Sequence, residues 1–126
     1  MTSIITEGNA TANAELRFTQ GGKPVANVTI AVTDRTKDHD GAWIDGATSF
    51  YEVTVWGSPA ETFAETASKG TRLVVAGELT VQEYTDRDGN TRTRRRITAD
   101  HTGLSVRFHS ARSLRPTRDA AASPTD

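Results

Sequence analysis

Apolar residues alternate with polar ones along much of this chain. The pattern is clearest over 25–33, where Val28, Ile30 and Val32 point one way and Asn27, Thr29 and Ala31 the other. A period of two belongs to a strand with one face on a core. Shorter strands are predicted over 3–8, with Ile4 and Ile5 as apolar content and Gly8-Asn9 as a break, and over 15–18. Gly21-Gly22-Lys23-Pro24 reads as a turn. Residues 34–48 read as a long polar loop, and 50–56 as the next strand, ended by Gly57. Residues 71–84 form a long strand with Leu73, Val75, Leu79 and Val81 on one face. Gly77 in their midst marks a bulge or sharp bend of the kind that closing a small barrel requires. Asp88-Gly89 signals a hairpin, 91–100 the returning strand and 104–108 a last short strand.

One helix interrupts the strands. Ser58 is a suitable N-cap, Pro59 fits the first helical position, and Glu61 completes a Ser-x-x-Glu capping box. Ala60, Phe63, Ala64 and Ala67 form one apolar stripe, and Gly70 is a natural stop. The predicted fold is therefore all-β, a five-stranded OB-fold Greek-key barrel with one short helix between the third and fourth long strands. The barrel domain spans 1–109. Residues 110–126 are Arg, Ser, Pro, Ala and Thr with almost nothing to bury, which predicts a disordered tail.

Composition narrows the function. The chain has 126 residues, enough for one domain. The longest aliphatic run is Leu73-Val74-Val75-Ala76, against the roughly 20 residues of a spanning helix. Met1 to Asn9 has neither the basic residue nor the apolar stretch of a signal peptide, so a cytoplasmic protein with no membrane partner is expected. With no cysteine, disulfides, zinc knuckles and thiol nucleophiles are excluded. The net charge of -1 hides an asymmetry. Residues 1–86 carry 6 basic and 12 acidic side chains, and 87–126 carry 9 and 4. Such a division suggests either that a polyanion meets part of the surface or that the charges are solvated strand edges.

No catalytic constellation stands out. His39, His101 and His109 lack metal-ligand spacing, and Asp38 with Asp40 is only a fragment of a calcium loop, so no catalytic residue, metal or cofactor is expected. What stands out is a face. Parity puts Tyr51, Val53 and Val55 on the core and leaves Phe50, Glu52, Thr54 and Trp56 outside. Aromatics at both ends of a polar face either cover a second hydrophobic surface or serve as rings on which bases stack. Tyr84 falls on the polar side of its strand with Glu78, Thr80 and Gln82. Arg92, Arg94 and Arg96 alternate onto one face, while Arg95 joins Ile97 and Ala99. Glu78 and Glu83 on the paired strand are one way to compensate them, and phosphates are another. Arg35, Lys37, Arg72 and Arg87 are weaker candidates for phosphate contact. Trp43 is either a packed loop anchor, the slightly favoured reading, or a mobile stacking residue.

These residues resemble the bacterial single-stranded DNA-binding proteins. The segments that carry the resemblance include Gly8-Asn9, Ala14-Glu15-Leu16-Arg17-Phe18, the run from Val25 to Val32, Phe50-Tyr51-Glu52-Val53, Trp56-Gly57, Lys69-Gly70-Thr71, Gly77-Glu78-Leu79 and Tyr84-Thr85-Asp86. The stretch Gly41-Ala42-Trp43-Ile44-Asp45-Gly46 is similar to the actinobacterial branch. The resemblance implies an OB-fold homotetramer that wraps single-stranded DNA in replication, recombination and repair, with Phe50, Trp56 and Tyr84 as stacking residues. Two departures stand against it. Asp34-Arg35-Thr36-Lys37 occupies a region where the family often places another aromatic. The chain also ends Ala122-Ser123-Pro124-Thr125-Asp126, without the acidic, hydrophobic tip through which family members recruit repair enzymes. That ending fits a tail-poor second paralogue, used for example in DNA uptake or developmental chromosome handling, and equally a chain cut short of its natural end. An OB-fold adaptor in a replication-restart or recombination assembly, with Phe50 and Trp56 as protein anchors, is the alternative; an RNA-binding barrel is the third.

Overall fold

A computed structural model describes residues 1–114. Six strands and one helix follow in the order β1 (Thr2–Ala10), β2 (Glu15–Phe18), β3 (Pro24–Lys37), β4 (Trp43–Trp56), α1 (Pro59–Thr66), β5 (Arg72–Thr85) and β6 (Thr91–Leu104). The sheet order is β1-β5-β6-β4-β3-β2, and β1 also pairs with β3 through Asn9 and Ala10. That last pairing closes β1, β5, β6, β4 and β3 into a five-stranded barrel. β2 extends the β3 edge where β1 leaves it. The barrel interior holds Val28, Ile30, Val53, Val55, Leu73, Val75 and Ile97, each placed by the two-residue period of its strand. The helix plugs one end with Ala60 and Phe63, joined by Ala67 just past its last turn. The all-β barrel and the position of its helix are as the sequence predicts.

Several local expectations are corrected. Gly8-Asn9 does not break β1, which runs through to Ala10. A Cβ at Gly8 would stand 2.5 Å from the Ala31 carbonyl oxygen, so the glycine is there to let β1 cross close over β3. Residues 34–48 are not a loop. They are the outer halves of β3 and β4, paired as Arg35 with Asp45, Thr36 with Ile44 and Lys37 with Trp43, and only 38–42 form the turn that joins them. This arm projects beyond the core, so neither of its faces needs apolar residues and the strand signal disappears. Asp38 closes the tip, its Oδ1 accepting from the backbone N–H groups of Asp40 and Ala42 at 2.9 Å. The β5–β6 arm ends in the same way, with Asp86 Oδ1 accepting from Asp88 and Asn90.

Ser58 makes no side-chain cap bond and sits in the αR region, so no capping box forms. The turn is closed by backbone instead, Ala60 N–H donating to the Gly57 carbonyl at 2.8 Å. The helix ends at Thr66, and Gly70, at φ +89°, belongs to the turn after it. The Gly70 N–H donates to the Ala10 carbonyl and ties that turn back to β1. No strand forms over 105–108; β6 continues directly to Leu104. The register slips where Ala76 and Gly77 face His101 and Ala99, leaving Asp100 as the extra residue. A Cβ at Gly77 would press on the Thr98 carbonyl oxygen and lie 2.8 Å from Ala99 Cα. The predicted bend at Gly77 is therefore a bulge carried by its partner strand. Of the predicted tail, 115–126 lie outside the described residues.

Candidate nucleic-acid interface

The register aligns one outer face across five strands. Val25 of β3 lies opposite Trp56 of β4, Asn27 opposite Thr54, Thr29 opposite Glu52 and Ala31 opposite Phe50. On the other side of β4, Glu52 stands beside Arg96 and Thr54 beside Thr98 of the parallel β6. From there Arg96, Arg94 and Arg92 face Thr80, Gln82 and Tyr84 of β5. β2 extends the face with Arg17 next to Val25. Parity along single strands thus becomes one continuous surface, because residues directly paired across a sheet point to the same side.

Three rings are displayed on it. Trp56 is 45%, Phe50 56% and Tyr84 50% exposed, whereas Val53 and Val55 beside them are buried. An open groove of about 640 Å³ runs between Trp56, Glu52, Arg94 and Arg96 on one side and Asn13 and Arg17 on the other. Thr54 Oγ1 donates to Asn27 Oδ1 at 2.9 Å across its floor. The Lys23 ammonium sits 5.5 Å from the Trp56 ring centroid.

Nearly every arginine here already has an anion. Arg94 grips Glu52 with two bonds, Nε at 2.7 Å and Nη2 at 2.9 Å, and Arg96 reaches the same carboxylate at 3.8 Å. Arg92 donates to Asp86 at 2.8 Å, Arg17 to Glu15 at 3.1 Å, and Arg35 lies 3.4 Å from Asp45. The Arg94 bond holds the Glu52 carboxyl below its ordinary range, and Arg94 is raised in return. The Arg92 bond, helped by the Asn90 backbone, lowers Asp86 in the same way. The partners of Arg92, Arg94 and Arg96 are therefore Asp86 and Glu52; Glu78 and Glu83 lie opposite Thr98 and Thr93 instead. The acidic and basic parts of the chain meet on this face, which gives the charge asymmetry a local explanation.

The predicted site residues divide. Phe50, Trp56, Tyr84, Arg92, Arg94 and Arg96 come together. Arg35, Lys37 and Trp43 lie on the β3–β4 arm and Arg87 at the tip of the β5–β6 arm. Trp43 is not a packed anchor: it is 60% exposed, with the Lys37 ammonium 5.1 Å from its ring centroid. Arg72 is elsewhere. It bonds Glu7 and lines a separate cavity of about 210 Å³ with Leu104 and Ser105. Sequence reading missed Arg17 and Asn27 as lining groups, Lys23 as the cation over Trp56, and Glu52 as the residue that organises the arginines. The alternation that placed Phe50 and Trp56 outside placed Glu52 there too, and that was the available signal.

A closed five-stranded barrel with a capping helix, displaying rings and cations along one sheet face, is the architecture of the nucleic-acid-binding OB-folds. Within that class, residues 1–105 match the Single-strand binding protein family, and the chain belongs to that family. It is 42% identical over 119 residues to a single-stranded DNA-binding protein of Paenarthrobacter aurescens, covering 94% of this chain and 70% of that one. Against the single-stranded DNA-binding protein of Mycobacterium tuberculosis it is 38% identical over 118 residues, covering 93% and 72%. Its fold superposes on the small single-stranded DNA-binding protein of Streptomyces coelicolor with a TM-score of 0.73, at 28% identity over 83% of this chain and 94% of that one.

Proposed function

We propose that this protein binds single-stranded DNA without sequence preference, as a non-enzymatic protective coat in replication, recombination and repair. Bases stack on Trp56, Phe50 and Tyr84, and the strand's phosphates meet Arg94, Arg96 and Arg92. Lys23 and Arg17 lie at the Trp56 end, and Arg35, Lys37, Trp43 and Arg87 contribute from the arms. Stacking suits a sequence-tolerant binder because every base has a π-face, and each stacked base is worth about 1–3 kcal/mol. The observation that carries the reading is the display of three half-exposed rings on one sheet face, interleaved with cations. Arg72 has no part in it. The family membership supports assembly of the barrels into a homotetramer, so that one strand wraps several faces. The reading extends to a cytoplasmic, nucleoid-associated location, in keeping with the family membership. Recruitment of repair enzymes through an acidic C-terminal tip is not part of the proposal.

Titration of tryptophan fluorescence with oligo-dT, at low and high salt with duplex DNA as control, tests it. Quenching by the single strand alone, weakened by salt, is expected. An absence of both quenching and gel shift at low salt rejects single-strand binding and favours the adaptor reading.

A further inference from the structure

We propose that Glu52 is a resident counter-anion of the binding face: it holds Arg94 and Arg96 in the free protein and must yield them to DNA phosphate. It thereby sets both the affinity and the salt dependence of single-strand binding. This inference rests on the single-strand reading above.

Glu52 sits on the outer face between Phe50 and Trp56, in the groove rather than beside it. Its carboxylate takes two guanidinium N–H bonds from Arg94 in the paired, fork-like geometry that a phosphate also accepts. A phosphate arriving in the groove therefore finds the preferred donors of Arg94 already occupied by a group of the same shape and sign. The pair is also built to open. The Arg94 and Glu52 side chains are 42% and 39% exposed, so water can solvate either partner as they separate. The Arg96 contact, at 3.8 Å, is looser still. Among the described residues, Arg94 is the only side chain that hydrogen-bonds to Glu52, so no further bond anchors it in place.

Two consequences follow. In the free state the carboxylate cancels one of the two positive charges, Arg94 and Arg96, that it touches in the groove. Binding also releases fewer counter-ions than the number of arginines suggests, because part of the exchange is between Glu52 and phosphate.

The test compares oligo-dT binding by the intact protein and by Glu52→Gln across a salt series, with thermal melting to confirm folding. Glu52→Gln is expected to bind roughly fivefold or more tightly at low salt, the scale of one like charge removed near a phosphate. The plot of log K against log salt should steepen by about 0.7 for each arginine freed. Glu65→Gln makes the same charge change on an exposed residue of α1, outside the groove and without an ion pair among the described residues, and should leave the slope unchanged. In an Arg94→Gln background the steepening produced by Glu52→Gln should shrink, because Arg96 is then the one arginine left for it to free. Glu52→Asp, whose shorter arm loosens the two-bond grip but keeps the charge, should shift binding in the same direction by less; it serves if Glu52→Gln melts early.

Weaker or unchanged binding by a folded Glu52→Gln overturns the inference, since Glu52 then orients Arg94 or is idle. Equal tightening by Glu65→Gln overturns it too, because only net charge is then at work. If neither the parent protein nor any variant shifts oligo-dT at low salt, the single-strand reading itself fails, and this inference with it.

Discussion

Two arginine–glutamate pairs lie on the same barrel and are built for different work. Arg72 and Glu7 join β5 to β1, with side chains 25% and 27% exposed. Their carboxylate also accepts from the Ser105 hydroxyl at 2.8 Å and feels the charge of Arg107. Ser105 N–H in turn donates to the Arg72 carbonyl, and Phe108 lies against the Arg72 guanidinium, 5.1 Å from its ring centroid to the cation. That network pins the chain leaving β6 across the β1–β5 seam. Arg94 and Glu52 join β6 to β4 with better paired geometry, yet they are more exposed and carry no such brace. The chemistry of the pair is the same; its role is decided by what stands third. The bulge at Asp100 separates the two regions, leaving the arginine half of β6 on the open face and its last residues paired with the stretch of β5 that follows Arg72.

The comparison can be broken most severely at the divider. Gly77→Ala forces a Cβ into the backbone of Thr98 and Ala99, and a loss of about 3 kcal/mol is expected in a denaturant or thermal melt. Both regions should suffer, because the bulge sets the register of each.

Trp56→Ala separates the regions. Affinity for oligo-dT should fall about 10- to 100-fold, the equivalent of one lost stacking ring, with a melting temperature close to that of the parent. Unchanged affinity in the folded variant removes Trp56 from the interface.

Glu7→Gln should act in the opposite sense, costing about 1–2 kcal/mol of stability and leaving oligo-dT affinity alone. A change in affinity without a change in melting would show that the seam is coupled to the binding face.

Acid sharpens the contrast further. Arg72 and Ser105 hold the Glu7 carboxyl below its ordinary value of 4.5. A depressed carboxyl stabilises the fold above the unfolded-state value and loses that stabilisation as pH falls through the folded one. The parent's melting temperature should therefore drop below about pH 4.5 more steeply than that of Glu7→Gln. Parallel curves would mean that the seam pair contributes nothing to stability.

The smallest effect belongs to Ser58→Ala. A working cap of this kind is worth about 1 kcal/mol, but no cap bond exists here, so the melting temperature should barely move.

How much was legible follows the same division. Where a strand has core on one side and water on the other, alternation declares it. Residues 25–33 and 50–56 were read correctly down to which side chains face out, and so were Phe50, Trp56 and the alternating arginines of 92–96. The β3–β4 arm left no such trace, because both of its faces meet water. Its one clue was the pair Asp40-Gly41, the same turn signal as Asp88-Gly89, with both glycines at φ +82°. Capping failed for a different reason. The Ser-x-x-Glu pattern is real, but the chain enters α1 through a Gly57 turn that holds Ser58 in helical rather than extended backbone.

By itself the sequence determined the all-β class, the helix between the long strands, the strand faces and the identities of the rings and cations. These depend on neighbours within one element, and the periods of strand and helix expose them. Only the tertiary structure decided which charges meet. Arg94 finds Glu52 across 42 positions of sequence and Arg72 finds Glu7 across 65. Those distances collapse only when β4 lies parallel to β6 and β1 closes on β5. Register, closure and the bulge at Asp100 are properties of strands held against one another, and one strand's pattern carries no record of its partner. For that reason the outward-facing arginines could be listed from the sequence, while the carboxylate that already holds Arg94 and Arg96 could not.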